Sequence, residues 1–261
     1  MTAALSSARG ALFAYPREFL AIAVWLVAMI AFPIAYWTIG SEVIPVCITI
    51  AAIAQGVAVY VALSSRFGWG VLYYLVAIAV MTWLAEAVGS RTGVPFGEYQ
   101  YTDVLQPQIG GVPALIPFAW FMMLPPAWAV AQIILSDPAG RPTLRYRTTF
   151  AAVSALALTA WDLFLDPQMV GWNFWQWAHP VGYFGIPWSN YVGWLIISFL
   201  VSFVLCPPTL PKLPLVAIYA CVWFLQSVGL ALFWGMPGPA LVGSVAMAAV
   251  MMWAYLRWRA A

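Results

Sequence analysis

The chain of 261 residues is 65% hydrophobic and only 7% charged, whereas a soluble domain carries about 25% charged residues. This composition predicts an integral membrane protein and excludes a water-soluble domain or a disordered chain. The net charge of +2 gives no basic footprint for nucleic acid, and Cys47, Cys206 and Cys221 lack the C-x-x-C spacing of redox or metal motifs.

Eight continuous apolar runs are each long enough to cross a bilayer, which takes a helix of about 20 apolar residues. They cover approximately residues 19–39, 44–63, 69–89, 113–135, 148–165, 190–206, 215–235 and 238–256. The runs are continuous rather than alternating, which favours helices over the strands of a membrane barrel. We therefore expect an all-α, polytopic helical bundle that forms a single transmembrane domain over residues 1–261.

The basic residues predict the orientation of this bundle. With eight spans, nine of the ten Lys and Arg residues fall on one side, and only Arg91 falls on the other. By the positive-inside rule, the nine mark the cytoplasmic face. Both termini are then cytoplasmic, as in a multi-pass protein of a bacterial or archaeal plasma membrane. The nine are Arg9, Arg17, Arg66, Arg141, Arg145, Arg147, Lys212, Arg257 and Arg259.

Acidic residues collect in the opposite, outer half of the predicted bundle, and ionisable groups inside a span are functional by default. Asp162 and Asp166 are four residues apart and share a helix face, while Pro167 disfavours helix at Asp166. We expect helix five to end there, with Asp162 one turn deeper. Burial and a like-charged neighbour both disfavour the charged form of a carboxyl, so such a pair can divide into one acid and one base. A capping or packing pair is the alternative. The outer acids are Glu86, Glu98, Asp103, Asp162 and Asp166.

Two long loops follow these acids, residues 90–112 and 166–189, and loops of this length in a compact bundle are usually functional. We expect Arg91 in the first loop to pair with Glu86 or Glu98, with the binding of an anion as the alternative. His179 is interpreted as a surface residue, with a general base or a metal ligand as the alternatives. The loop aromatics are either part of the site or an interfacial belt. They include Phe96, Tyr99, Tyr101, Trp172, Trp175, Trp177, Tyr183 and Trp188.

Four segments resemble the carotenoid biosynthesis family that includes CruF-type carotenoid 1′,2′-hydratases, and together they cover roughly residues 80–200. The family pattern places an acid before a Gly-rich loop, a D-L-x-x-D-P pair, and an Asn before G-W. Here these positions are Glu86, the pair Asp162 and Asp166, and Asn190. The segments are Glu86–Thr102, Gly111–Trp120 (GVPALIPFAW), Trp161–Pro167 (WDLFLDP) and Gly182–Trp194 (GYFGIPWSNYVGW).

The resemblance implies an enzyme that adds water across the terminal 1′,2′ double bond of an acyclic carotenoid, without cofactor or metal. Asp162 would protonate C2′, and Asp166 and Glu86 would hold the water that attacks the C1′ cation. Aromatic rings would face the substrate, because a desolvated cation over a ring gains about 2 kcal/mol or more. The carotenoid would enter from the bilayer, and other carotenoid-pathway enzymes are candidate partners. Supporting polar residues would be Asn190, Glu98, Tyr99, Tyr101 and Arg91, and substrate-binding residues Trp120, Trp161, Trp194 and Phe96.

Three other functions use similar residues. Acid-catalysed carotenoid cyclisation or isomerisation needs the same acids, but it adds no water. An intramembrane prenyltransferase needs two aspartate motifs for magnesium and diphosphate, whereas only one D-x-x-x-D is present here, at Asp162 and Asp166. A non-catalytic carotenoid- or lipid-binding membrane protein is the third alternative, and it would not depend on the acids.

Overall fold

A computed structural model describes residues 14–136 and 140–260, so Arg9 and Asp137 lie outside the described residues. Seven continuous helical segments are long and apolar enough to cross a membrane. One of them, Ser41–Thr92, contains two α-helices joined by a 3₁₀ turn at Gly68–Gly70. The expected all-α, polytopic membrane bundle is confirmed. Its helices are α1 (Pro16–Ile39), α2 (Ile44–Phe67), α3 (Val71–Thr92), α4 (Leu115–Leu135), α5 (Leu144–Gly171), α6 (Trp188–Leu205), α7 (Lys212–Val228) and α8 (Pro237–Ala260).

Local signals in the sequence explain where several helices begin and end. Proline occupies the first position of α1 and of α8, where a missing N–H costs nothing. The Thr143 hydroxyl caps α5 by accepting a hydrogen bond from the Tyr146 N–H at 3.2 Å. Gly93 ends α3 in the left-handed conformation, with φ of 73°, and its N–H donates to the Gly89 carbonyl. This turn directs the chain into the first long loop.

The bundle has two chemically different ends. At one end Arg66 donates to the Thr209 carbonyl at 3.3 Å, and Arg257 donates to the Ile134 carbonyl at 2.9 Å. The α2–α3 and α6–α7 connections and the last turns of α4 and α8 therefore lie at the same end of the bundle. We call this the basic end. The two long loops, residues 93–114 and 172–187, lie at the opposite end, which we call the loop end. The placement of the basic end in the cytoplasm stays a prediction.

Helix α4 lies at the centre of the bundle and packs against α2, α3, α5, α7 and α8. Most of its side chains are buried, whereas α1 and α8 expose long apolar side chains on their outer faces. A bundle buried around one central helix and apolar outside is suited to a lipid environment. Close approach of α5 and α8 depends on Gly243, because a Cβ there would lie 2.7 Å from the Phe164 ring.

The two long loops are joined by a small antiparallel sheet that the sequence did not predict. Strand β1 (Tyr99–Tyr101) pairs with β4 (Trp175–Trp177), with Tyr99 opposite Trp177 and Tyr101 opposite Trp175. A second pair, β2 (Gln108–Ile109) and β3 (Val112–Pro113), lies within the first loop. Side chains alternate along β1 and β4, so the aromatic residues point into the bundle and the central glutamines point out.

The prediction that helix five ends at Asp166 is wrong. Helix α5 continues through Pro167 to Gly171, which places Asp166 inside a helix. A proline has no N–H to donate to the carbonyl four residues earlier, here that of Leu163. The Tyr183 hydroxyl donates to this carbonyl at 3.1 Å and replaces the missing donor. The replacement comes from the second loop, which the local sequence around Pro167 does not reveal.

Candidate active site

Three carboxyl groups lie buried at the loop end of the bundle. Helix α3 supplies Glu86 and helix α5 supplies Asp162 and Asp166, with exposed fractions of 4%, 0% and 2%. Among the described residues, no lysine, arginine or histidine lies within ion-pairing distance of any of the three. Buried carboxylates without a cation are strongly disfavoured, so a cluster of this kind holds at least one carboxyl as the neutral acid.

Glu86 is held by three donors from the loop and from α4. Its Oε2 accepts hydrogen bonds from the Tyr99 hydroxyl at 2.6 Å and the Tyr101 hydroxyl at 2.8 Å. Its Oε1 accepts from the indole N–H of Trp120 at 3.2 Å. Burial, and then the charge of Glu86, raise the pKa of both Tyr99 and Tyr101. The two phenols therefore stay protonated and continue to donate, which suits an ionised Glu86.

A single amide group connects the two aspartates. The Asn190 Nδ2 donates to Asp166 Oδ2 and to Asp162 Oδ2, the latter at 3.2 Å. Asp166 Oδ1 accepts a further hydrogen bond from the Trp175 indole at 2.8 Å. Asp162 Oδ1 is buried and accepts no hydrogen bond from any described residue. Of the six carboxyl oxygens in the cluster, it alone lacks a donor among residues 14–136 and 140–260.

Aromatic rings enclose the carboxyl cluster. Trp120 and Trp194 stack with centroids 4.1 Å apart and an interplanar angle of 10°, and Trp161 meets Trp194 edge-on at 6.1 Å. Phe96 fits between two glycines, since a Cβ at either Gly89 or Gly193 would lie 2.5 Å from its ring. The structure thus brings together all four aromatic residues predicted for the site.

A small cavity lies between the acids and these rings. Its volume is about 30 Å³, room for one or two water molecules. Its polar lining includes Glu86, Asp166 and Asn190, and the stacked Trp120 and Trp194 form part of its apolar wall. Asp162 does not line it. Two of the three acids therefore border a space large enough for a water molecule, and the third carboxyl does not.

Comparison with known proteins shows the family. Residues 45–250 match the carotenoid biosynthesis protein family over most of the chain. The chain belongs to this carotenoid biosynthesis family. The bisanhydrobacterioruberin hydratase of Haloarcula japonica is 37% identical over 123 residues, which are 47% of this chain and 40% of that relative. The match thus covers less than half of the relative's length. No solved structure matches the chain.

Glu98 and Arg91, which the sequence predicted as supporting polar residues of the active site, lie outside the carboxyl cluster. Glu98 is exposed and pairs with His179 at 3.7 Å, and both side chains are largely in solvent. The predicted pairing of Arg91 with Glu86 or Glu98 is wrong, because its guanidinium donates to the carbonyls of Ala87 and Gly110 instead. Arg91 lies in the last turn of α3, where carbonyls without helical partners favour a basic side chain.

Three residues of this region were not assigned to the site from the sequence. Trp175 contacts Asp166 only because β4 pairs with β1, and this pairing is a long-range contact with no local signal. Tyr183 supports α5 at Pro167, and Tyr191 follows Asn190 in the first turn of α6. The proline next to Asp166 was the one available hint, since a helix crossing it requires a substitute donor.

Proposed function

We propose that this protein is a carotenoid hydratase that adds water across the terminal 1′,2′ double bond of an acyclic carotenoid end. The observation that carries the proposal is the cluster of Glu86, Asp162 and Asp166, buried together without a cation inside a wall of aromatic rings. Hydration of an isolated alkene needs a neutral acid to protonate carbon, a base for water, and a surface that tolerates a cation. Membership of the carotenoid biosynthesis family and the hydratase relative support the same reaction.

Hydrogen bonding supports Asp162 as the proton donor. Both oxygens of Glu86 and both oxygens of Asp166 accept hydrogen bonds, so these two carboxyls are better suited than Asp162 to carry negative charge. Asp162 Oδ1 accepts none, so it is the oxygen on which a proton fits best. The O–H bond of Asp162 breaks as the π electrons of the alkene form the C2′–H bond. The positive charge then resides on the tertiary carbon C1′.

Asp166 and Glu86 are suited to hold the water. Both line the small cavity, and Asn190 beside them fixes Asp166. The water oxygen forms a bond to C1′ and loses a proton to Asp166, acting as general base. Because Asn190 contacts both aspartates, this proton is released beside Asp162 and can return to it. The net change is the addition of one water molecule to the alkene, with no redox step and no cofactor.

The rings of Trp120, Trp194 and Trp161 are suited to stabilise the carbocation. A cation over a desolvated indole gains about 2 kcal/mol or more. Glu86 fixes the Trp120 indole through a hydrogen bond, and this ring in turn stacks on Trp194. The stack would therefore keep its position while the charge develops. The carotenoid itself would reach the site from the bilayer of the cell membrane.

Pigment analysis tests the proposal. The protein is expressed in a bacterium that accumulates lycopene or γ-carotene, and the pigments are separated by liquid chromatography and weighed by mass spectrometry. We expect a more polar pigment heavier by one water, lost in Asp162→Asn and retained in the matched control Asp103→Asn, whose carboxyl is exposed. A new pigment of unchanged mass would instead indicate cyclisation or isomerisation. Unchanged pigments with well-expressed protein would favour a carotenoid- or lipid-binding role.

A further inference from the structure

A second space in the bundle lies between α1, α5 and α7 at the loop end, and we call it the α1–α7 cleft. Its volume is about 310 Å³, within the usual range for ligand pockets. Ile30 and Ile34 of α1 line it and are exposed on the outside of the bundle, so the cleft is open to lipid. Gln168 of α5 also lines it. Two residues along a helix correspond to about 200° of rotation, so Gln168 and Asp166 lie on nearly opposite faces of α5.

The amide of Gln168 has no hydrogen-bond partner within residues 14–136 and 140–260. The residue is 3% exposed, and its Oε1 is fully buried. An apolar side chain would be more stable at this position, because burial of a polar group without a partner is costly. A polar residue that persists inside an apolar span is therefore a candidate functional residue.

Further hydrogen-bonding groups border the same cleft. Gln226 of α7 is half-buried, and its side chain forms no hydrogen bond in the described part of the chain. Pro33 has no N–H to donate to the Met29 carbonyl four residues earlier, and both residues line the cleft. The turn after α7, Gly229–Phe233, is π-helical, a wide turn that is frequent at functional sites. Three helices thus bring spare neutral hydrogen-bonding capacity to one apolar space.

The walls of the cleft define the chemistry of its ligand. None of the described residues that line it is charged, so a phosphate or carboxylate group would find no counter-charge there. Phe32, Trp172 and Trp234 contact one another with ring centroids 5.0–5.5 Å apart, and they present apolar faces. An amide can both donate to and accept from a hydroxyl group. The matching ligand is a neutral, lipid-borne molecule whose apolar chain ends in a hydroxyl group.

We propose that the α1–α7 cleft binds the hydroxyl-bearing end of a hydrated acyclic carotenoid; this inference rests on the proposed hydratase function. Hydration converts an apolar end into a tertiary alcohol, which is the combination of groups that the cleft accommodates. The Gln168 amide hydrogen-bonds the new hydroxyl, and the rings of Trp172 and Trp234 contact the adjoining chain. The remainder of the polyene lies in the bilayer beside α1. A product end held there is separated from the carboxyl cluster by the width of α5.

The test compares the binding of lycopene with that of lycopene hydrated at one end. Both pigments keep one unhydrated end, so binding at the carboxyl cluster is common to both. All proteins carry Asp162→Asn to prevent conversion, and pigment is titrated into purified full-length protein, with protein-free micelles as the blank. We expect the hydrated pigment to bind roughly five- to tenfold more tightly, the range of one neutral hydrogen bond. Gln168→Met should remove this preference, and Gln100→Met should keep it, because Gln100 is exposed on β1.

The melting temperature shows whether Gln168→Met is folded. We expect it to equal or exceed that of the parent protein, because the substitution removes a buried amide that has no described partner. If the variant nevertheless does not fold, Gln226→Met at the half-buried wall of the cleft replaces it, and it should weaken the preference.

Three results would overturn the assignment of this cleft. Equal affinity for the two pigments would show that the hydroxyl is not recognised. A preference that persists in folded Gln168→Met, or in Gln226→Met where that variant replaces it, would place the hydroxyl elsewhere. Hexadecanol that displaces the hydrated pigment as well as unlabelled hydrated pigment does would assign the cleft to lipid alcohols in general. Wild-type protein that forms no hydrate would refute the proposed reaction, whereas the preference is measured with supplied pigment, so the two failures are distinguishable.

Discussion

The Tyr183 hydroxyl donates a hydrogen bond to the Leu163 carbonyl at 3.1 Å. This carbonyl is the one that Pro167 leaves without a helical donor. The contact therefore lets α5 continue beyond Asp166, and it fixes the turn that holds both aspartates. Tyr183, in the second loop, thus supplies a hydrogen bond that helix α5 lacks. The positions of Asp162 and Asp166 therefore depend on the conformation of that loop.

Removing this hydroxyl should destabilise the protein. In Tyr183→Phe the Leu163 carbonyl loses its donor at a cost of about 1 kcal/mol. For a protein of this size, we expect the melting temperature in detergent to fall by roughly 2–4 °C. Tyr73→Phe is the control, because the Tyr73 side chain is exposed. Equal melting temperatures for wild type and Tyr183→Phe would show that α5 crosses Pro167 without this support.

Substitution of each acid by its amide should separate proton donation from water handling. Asp162→Asn should lose both the hydrate and the exchange of deuterium from solvent into the substrate, because no proton reaches C2′. Asp166→Asn and Glu86→Gln should lose most of the hydrate but keep measurable exchange, because the cation still forms and returns its proton. Both products are measured by mass spectrometry in deuterated water. Deuterium exchange that persists in Asp162→Asn would show that a different acid donates the proton.

Alkaline pH should weaken the hydrogen bonds around Glu86. Burial and the Glu86 charge raise the pKa of Tyr99 and Tyr101 above the value of about 10 for an unfolded tyrosine. Above that pH the unfolded chain loses these protons first, so the free energy of unfolding falls as pH rises. We expect the decline to be shallower in the double variant Tyr99→Phe/Tyr101→Phe, which starts from a lower stability. Parallel curves for the two proteins would contradict the assignment of the decline to these phenols.

The stacked tryptophans should contribute to the rate. Trp194 lies against Trp120 at 4.1 Å, and it lines the cavity beside Asp166. Trp194→Leu removes about 2 kcal/mol of cation stabilisation, which corresponds to a turnover rate roughly thirtyfold lower. Trp194→Phe should retain more of the rate, since it keeps an aromatic face. Trp69→Leu serves as a control because Trp69 is exposed. A Trp194→Leu variant with the wild-type rate would exclude a role for this ring.

The helices were predictable because each apolar run is long enough to span a bilayer and ends near a glycine, a proline or a basic residue. The clustering of Glu86 with the aspartates was likewise predictable, since a costly charge in an apolar span indicates a site. The contacts between the two loops were not predictable from the sequence. Trp175 reaches Asp166 through the pairing of β1 with β4, and Arg91 prefers the Gly110 carbonyl to a carboxylate. Such contacts depend on how distant segments pack, which local sequence patterns do not encode.

The source of the oxygen in the product distinguishes hydration from every other reaction considered for these acids. The purified protein is incubated with an acyclic carotenoid in water enriched in ¹⁸O, and the pigment is analysed by mass spectrometry. Hydration by the acid cluster should give a hydroxylated product whose new oxygen carries the heavy isotope, with no such product from Asp162→Asn. A product whose oxygen comes from molecular oxygen, or a product without added oxygen, would contradict the claim that these buried acids add water to the alkene.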